Sequence, residues 1–354
     1  MKIRHYFAGG NTPVGFYSYY NEILPQEETR LTVYLKGGAG TGKSTLMKKW
    51  GTALAEAGHP VEFLHCSGDP ASLDGVVARE SGVCVVDGTA PHAQDPKILA
   101  NECVFDPGRF IDREKLLPYR EELMTLSRRK KDCYARAYRN LSAAGTVYEG
   151  VLAERGKALS ENALYERSEQ VLKELFADCP VTPVRGQIRH GFAAAITPRG
   201  VLDYSDTLFD GLTRWQIIAE NGLGVHTLLD RVATAALAHG MKVEAYCSPL
   251  FPKRIEHLVL TDLGVALTTA EGRSDRQIDL ASCLDESAFA AAKRRTEADF
   301  ELFDLLLTRT VEHLREAGEE HARMEERTVP AMDFPAMEEE FSRILTKMDG
   351  LTKG

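Results

Sequence analysis

The segment Gly37-Gly38-Ala39-Gly40-Thr41-Gly42-Lys43-Ser44 has the spacing G-x-x-x-x-G-K-[ST], the pattern of a backbone loop that wraps a phosphate. Such a loop must turn consecutive N–H groups inward at backbone angles that side chains oppose, which is why glycine dominates it. A helix beginning at Lys43 would add its positive end. On this reading Gly37, Gly38, Ala39, Gly40, Thr41, Gly42, Lys43, Ser44 and Thr45 bind nucleotide. Lys43 meets the β and γ phosphates as a catalytic point charge, and Ser44 offers its hydroxyl to Mg²⁺.

Downstream, Val83-Cys84-Val85-Val86-Asp87 is an apolar run ending in an acid. That is the form of a carboxylate standing at the carboxyl edge of a parallel sheet, where Asp87 would hold Mg²⁺ or its water. Asp-Gly is also an ordinary turn pair. Many hydrolytic enzymes with such a loop carry a glutamate after the aspartate, whereas this chain has Gly88, so fast hydrolysis is not expected. Asp69, in His65-Cys66-Ser67-Gly68-Asp69-Pro70, stands where a second strand ends and could take a proton or order the magnesium shell, or simply form a turn. His92 could orient a water or the γ-phosphate. Arg128-Arg129-Lys130-Lys131 reads first as a solvated helix face, second as a lid over phosphates or a partner contact, and third as a nucleic-acid contact.

These groups need a scaffold. Leu31 to Leu35, Val61 to Leu64 and Val83 to Val86 read as buried strands, and Lys43 to Ala57 as the helix between the first two. Strand, helix and strand with short connections imply a mostly parallel sheet. Residues 114–178 and 286–326 are rich in Glu, Arg, Lys, Leu and Ala and read as long helical hairpins, and a last helix near Ala336 to Met348 follows Pro330 and Pro335, so the second helical segment runs over about 286–348.

The chain also repeats itself. Ile3-Arg4-His5-x-Phe7-Ala8 recurs as Ile188-Arg189-His190-x-Phe192-Ala193. Further on Gly40-x-Gly42 matches Gly222-x-Gly224, and Cys66-Ser67 matches Cys247-Ser248. Two copies of one unit therefore meet near Cys179-Pro180-Val181-Thr182-Pro183, giving expected domains of 1–180 and 181–354. The second copy acts as an internal control. Lys43 becomes Val225, Ser44 becomes His226, Asp87 becomes Thr269, and Gly9-Gly10-Asn11 becomes Ala194-Ala195-Ile196. Gly10 and Asn11 thus join the nucleotide-side candidates, while Arg4, His5 and Cys66, which both copies keep, read as fold elements. The second half is expected not to bind Mg-nucleotide productively.

Composition narrows the function classes. Of 354 residues, 43 are basic and 52 acidic, and the net charge of -9 disfavours a general grip on nucleic acid. No apolar run is long enough to span a membrane and no secretory leader is recognisable, so a soluble cytoplasmic chain is expected. Seven cysteines, an odd number with no C-x-x-C spacing, read as reduced thiols rather than bridges or a zinc site.

On Phe7-Ala8-Gly9-Gly10-Asn11-Thr12-Pro13-x-Gly15-Phe16, Lys36 through Ser44, His65-Cys66-Ser67 and Asp87-Gly88-Thr89-Ala90-Pro91-His92, the chain resembles the bacterial tandem P-loop proteins known as ATPases or ATP-binding proteins, over nearly its whole length. The resemblance implies an α/β fold of two tandem P-loop NTPase-like domains, each with a mostly parallel sheet, flanking helices and a helical hairpin, and it implies ATP and Mg²⁺ but no substrate. Relatives in that family often keep a glycine-lysine loop in the second half, and this chain departs from them at Val225 and His226. The leading expectation is a Mg-ATP-binding NTPase with slow hydrolysis, nucleotide in the first half and a structural or regulatory second half. A kinase for a small molecule or nucleotide acceptor is the alternative, since Asp87-Gly88-Thr89-Ala90-Pro91 is also similar to an Asp-Gly-x-Pro stretch of adenylate-kinase-like enzymes. A nucleotide-dependent switch read by a protein partner is the third reading.

Overall fold

The structure is a computed structural model that describes residues 3–91 and 93–351, and for 347–351 only the helical backbone. The first half contributes β1 (Ile3–Tyr6), the hairpin β2 (Gly9–Thr12) and β3 (Gly15–Ser18), then β4 (Leu31–Leu35), α1 (Lys43–Glu56), β5 (Val61–His65), β6 (Leu73–Ala78), β7 (Val83–Asp87) and β8 (Glu102–Phe105). Helices α2 (Arg113–Leu116), α3 (Arg120–Gly156) and α4 (Glu161–Phe176) follow. The second half runs through β9 (Gln187–Gly191), β10 (Ala194–Thr197), β11 (Gly200–Asp203), α5 (Ser205–Leu208), β12 (Thr213–Ile218), α6 (Val225–Ala238), β13 (Lys242–Cys247), β14 (Ile255–Leu260), β15 (Val265–Thr268) and β16 (Arg276–Asp279). It ends with α7 (Glu286–Arg295), α8 (Glu297–Thr328) and α9 (Phe334–Leu351).

The fold is α/β, with mixed, mostly parallel sheets flanked by helices. The first sheet has the order β1-β5-β6-β7-β4-β8 and the second β9-β13-β14-β15-β12-β16, the same arrangement strand for strand. The strands expected at 31–35, 61–64 and 83–86 and the helix expected at 43–57 are present. The sheets are less parallel than the βαβ pattern alone implies, because β6 runs antiparallel to both β5 and β7, as β14 does to β13 and β15. The cause is connection length. A parallel crossover takes a dozen residues or more, whereas seven residues, 66–72, join β5 to β6, and four, 79–82, join β6 to β7.

A third sheet, β11-β10-β2-β3, joins the halves. At its centre equivalent positions of the two copies pair with each other. Asn11 faces Ile196, and Phe7 and Phe192 exchange two backbone hydrogen bonds of 2.9 Å. The repeat therefore has a pseudo-twofold axis passing between these pairs. Beside it lies a group of five charges in which Glu62 and Glu244 are buried and Arg4, Arg79 and Arg189 half-buried; Arg79 reaches Glu62 at 3.0 Å. Arg189 reaches Glu62 at 2.7 Å and Glu244 at 2.5 Å, while Arg4 reaches Glu244 at 2.9 Å and Glu62 at 3.4 Å. Burial alone would raise the Glu62 carboxyl, but the guanidiniums of Arg189, Arg79 and Arg4 outweigh it and hold Glu62 at about 2.

The helical regions differ from the hairpins the sequence suggests within each copy. The long helix α3 instead lies along α8 from the other copy, and Ala137, Leu141 and Leu314 form a small core with Ile196 between them. Each long helix has one apolar stripe, and the stripe of the other copy is the surface that covers it. The shorter helices cross over as well. In α4, Leu164, Val171 and Leu175 pack into the core built on α6 and the second sheet. In α9, Met337 and Phe341 pack with Leu46 and Met47 of α1 and Phe105 of β8. A boundary at 180 separates the two sheets but not the two cores.

Candidate functional site

The glycine loop leaves β4 at Lys36 and enters α1 at Lys43. Its glycines answer local requirements. A Cβ on Gly37 would stand 2.6 Å from Thr41 Oγ1, and Gly42, the N-cap of α1, has the left-handed φ of 81° that glycine adopts without strain. Thr41 is buried and donates to the Gly38 carbonyl at 2.8 Å, tying the loop across its base. The Lys43 ammonium turns back into the loop and donates to the carbonyls of Gly37 at 2.5 Å and Gly38 at 3.0 Å. It also lies 3.5 Å from Asp87 Oδ2. That contact exists because β7 is the direct parallel neighbour of β4, with Leu35 opposite Asp87. The other Asp87 oxygen accepts from the Thr89 amide at 2.8 Å and the Thr89 hydroxyl at 2.6 Å, which fixes the carboxylate.

Ser44 stands in the first turn of α1, where its Oγ accepts the Leu73 amide at 3.0 Å. It therefore helps start β6 and keeps a lone pair for another partner. Thr45 is exposed one residue further along the helix, and in the loop Gly38 is exposed and Ala39 half-buried. Structure and spacing thus bring together Gly37 through Thr45 and Asp87.

The remaining candidates fall elsewhere. The Asp69 carboxylate accepts from the Ala71 amide at 3.2 Å and the Ser72 hydroxyl at 2.6 Å, so it closes the turn after β5. Gly10 and Asn11 lie in the sheet that joins the halves. The Asn11 amide donates to the Ile196 carbonyl at 2.8 Å and the Ser67 carbonyl at 3.3 Å and accepts from Tyr138 Oη at 2.7 Å. These bonds tie it to the 66–72 turn and to α3 rather than to the glycine loop. Its replacement by Ile196 in the second copy reflects the pairing of the two positions across the axis. His92 lies outside the described residues. The seven cysteines are all unpaired, and burial pushes the Cys66 thiol well above its ordinary value.

The loop is covered from the other half of the chain. Gly40 packs against Glu325, Thr328 and Val329 at the end of α8, and Gly42 against Phe334 and Met337 at the start of α9. The Gly40 amide donates to Glu325 Oε1 at 3.1 Å. His321 Nε2 lies 3.5 Å from the same carboxylate oxygen, and Lys130 on α3 meets His321 Nδ1 at 2.8 Å. The bond to His321 lowers the Glu325 carboxyl, with the Gly40 amide and Lys130 acting in the same direction. Burial lowers the Lys130 ammonium, and the charge of Lys43 adds to the effect. Of the basic run on α3, Arg128, Arg129 and Lys131 are exposed while Lys130 is turned inward.

Sequence reasoning missed Glu325 and reached Lys130 only within a basic run whose second reading is a lid, although periodicity carried the signal for both. Lys130 stands between Leu126 and Cys133 on the stripe that continues through Ala137 and Leu141, and Glu325 lies on the one that runs through Leu314, Ala317 and Thr328. A charged residue on a buried stripe is a better pointer to a site than a charge run.

The second loop keeps the backbone and changes the chemistry. Gly222 and Gly224 have φ of 71° and 83°, close to the 72° and 81° of Gly40 and Gly42. Val225, in place of Lys43, is buried in the second core. His226, in place of Ser44, accepts the Ile255 amide through Nδ1 at 3.3 Å, repeating the bond from Leu73 to Ser44. A buried arginine, Arg155 of α3, donates to Asn221 Oδ1 at 2.9 Å. No family model, curated protein or solved structure matches the chain. No helix among the described residues is long and apolar enough to cross a membrane.

Proposed function

We propose that the chain is a Mg-ATP-binding P-loop NTPase that holds nucleotide at residues 37–45, hydrolyses it slowly, and uses its second half as a structural and regulatory pseudo-copy. One observation carries the reading. A glycine loop with left-handed Gly40 and Gly42 leads into α1, and its lysine lies 3.5 Å from a fixed aspartate on the neighbouring strand. The donor set fits the ligand. Loop amides and the start of a 14-residue helix suit a polyphosphate, and the Ser44 hydroxyl with the Asp87 carboxylate suits a cation that takes oxygen ligands and keeps several waters. Nucleotide supplies the phosphoanhydride, and magnesium its charge neutralisation.

The side chains then divide the work. Lys43 exchanges its bonds to the Gly37 and Gly38 carbonyls for phosphate oxygens, while Thr89 keeps Asp87 oriented. Gly88 has no side chain to activate water, and the Asp69 carboxylate is engaged in its own turn, which supports slow turnover. The family resemblance points the same way. A switch reading has one observation of its own in its favour: the helices over the loop, α8 and α9, come from the second half, so whatever enters the loop must act on them. Release of ADP from Mg-ATP tests the activity. It is expected to be slow in the native chain and absent in Lys43→Ala, and equal release by both proteins refutes the site.

A further inference from the structure

We infer that Glu325 is a built-in anion that occupies the phosphate loop and must be displaced before a nucleotide can seat, so that ligand entry is coupled to α8. This inference rests on the nucleotide reading of the loop.

The amide of Gly40 is one of the inward N–H groups of a loop whose geometry and helix favour negative charge. In this structure it donates to a carboxylate, Glu325 Oε1, at 3.1 Å. A carboxylate is the side chain nearest to phosphate in charge and acceptor geometry, and charge-assisted bonds of this kind are about twice as strong as neutral ones. Three features hold it there. The end of α8 packs directly on the loop, with Glu325 Cα, Thr328 Cβ and Val329 Cγ2 all within 3.1 to 3.3 Å of where a Gly40 Cβ would lie. His321, one helical turn earlier on α8, lies 3.5 Å from the carboxylate. Lys130 of α3 bonds His321 at 2.8 Å and adds its positive charge.

Glu325 and a polyphosphate cannot share the Gly40 amide, and their charges repel at that distance. Nucleotide therefore binds to the form in which Glu325 has left, and its affinity is reduced by the fraction of molecules in which the carboxylate is seated. When Glu325 leaves, the end of α8 loses its bond to the loop and Lys130 loses its link through His321 to a carboxylate. The α3 and α8 pair spans both halves, so the loop and the second half become two ends of one equilibrium.

Titration calorimetry of the full chain with Mg²⁺ and a non-hydrolysable ATP analogue tests this. The variants are Glu325→Gln, which keeps the shape, Glu325→Ala, and the control Glu326→Gln, which removes the same charge from the exposed neighbouring position. Both Glu325 variants are expected to bind roughly tenfold tighter than wild type, the effect of removing one charge-assisted competitor, and Glu326→Gln to change affinity by less than about twofold. Equal affinities for wild type and the Glu325 variants, with binding abolished in Lys43→Ala, would overturn the displacement and leave the nucleotide site standing. Weaker binding by the Glu325 variants would also overturn it, as would equal tightening by Glu326→Gln. Failure of every protein to bind, wild type and Glu325 variants alike, would remove the nucleotide reading and this inference with it.

Discussion

The exchange of helices between the halves makes a sharp mechanical prediction at Phe341. This residue of α9 is 3% exposed, its ring lies 5.3 Å from that of Phe105, and it shares a core with Leu46, Met47 and Val85 of the first half. Replacing a buried phenylalanine by alanine costs about 3 to 5 kcal/mol, transfer and cavity together. With a urea dependence of about 3 kcal/mol per molar, the unfolding midpoint should fall by roughly 1 to 1.7 M. The chain has two tryptophans, and each reports one core, Trp50 the first and Trp215 the second. In a Trp215→Phe background, Phe341→Ala should lower the Trp50 fluorescence transition by that amount although the substitution lies about 290 residues away in sequence. The reciprocal change, Val171→Ala in α4, should lower the Trp215 transition in a Trp50→Phe background. If Phe341→Ala leaves the Trp50 transition in place in that background, and moves the Trp215 transition instead in the Trp50→Phe background, the packing of α9 on the first half is wrong.

Two further perturbations test the centre of the fold. Arg189→Met leaves two buried carboxylates, Glu62 and Glu244, short of a partner and should cost about 3 to 5 kcal/mol, whereas changing Arg4, Arg79, Arg189, Glu62 and Glu244 together to apolar residues should cost less than the single change. A urea midpoint for Arg189→Met within 0.3 M of wild type (about 1 kcal/mol at the same urea dependence) would show that the cluster carries little. Mild acid should also destabilise the protein, because burial lowers the imidazoles of His257 and His65 to about 4. Their folded values lie below the unfolded value near 6.5, so the stability they contribute is complete above pH 6.5 and is lost as pH falls from there toward 4. For His257, which is buried and bonded to Thr268 Oγ1 at 2.8 Å, the loss is on the order of 3 kcal/mol. In His257→Gln the fall in urea midpoint between pH 7 and 4.5 should be shallower, and an unchanged slope would contradict the burial argument.

Much of this architecture is legible in the sequence wherever a local signal decides the outcome. The loop spacing, the strands on either side of it, the helix from Lys43 and the duplication all depend on neighbours in the chain. What was not legible depends on long-range partners. Strand β6 opens with Leu73-Asp74-Gly75, residues that read as a turn, and only the sheet on both sides makes them a strand. The pairing of α3 with α8 cannot be read from their stripes, since each stripe would fit its own neighbour as well. The absence of Asn11 from the second copy points to nucleotide, but two positions that meet on a symmetry axis can diverge for packing alone. Lys130 was hidden inside a run of charges whose other members are exposed.

On the proposed reading one loop of the two binds nucleotide and does so through Lys43. Titration calorimetry with Mg²⁺ and a non-hydrolysable ATP analogue tests it directly. One site per chain is expected in the wild-type protein and none in Lys43→Ala. Two sites per chain, or wild-type affinity in Lys43→Ala, would contradict it.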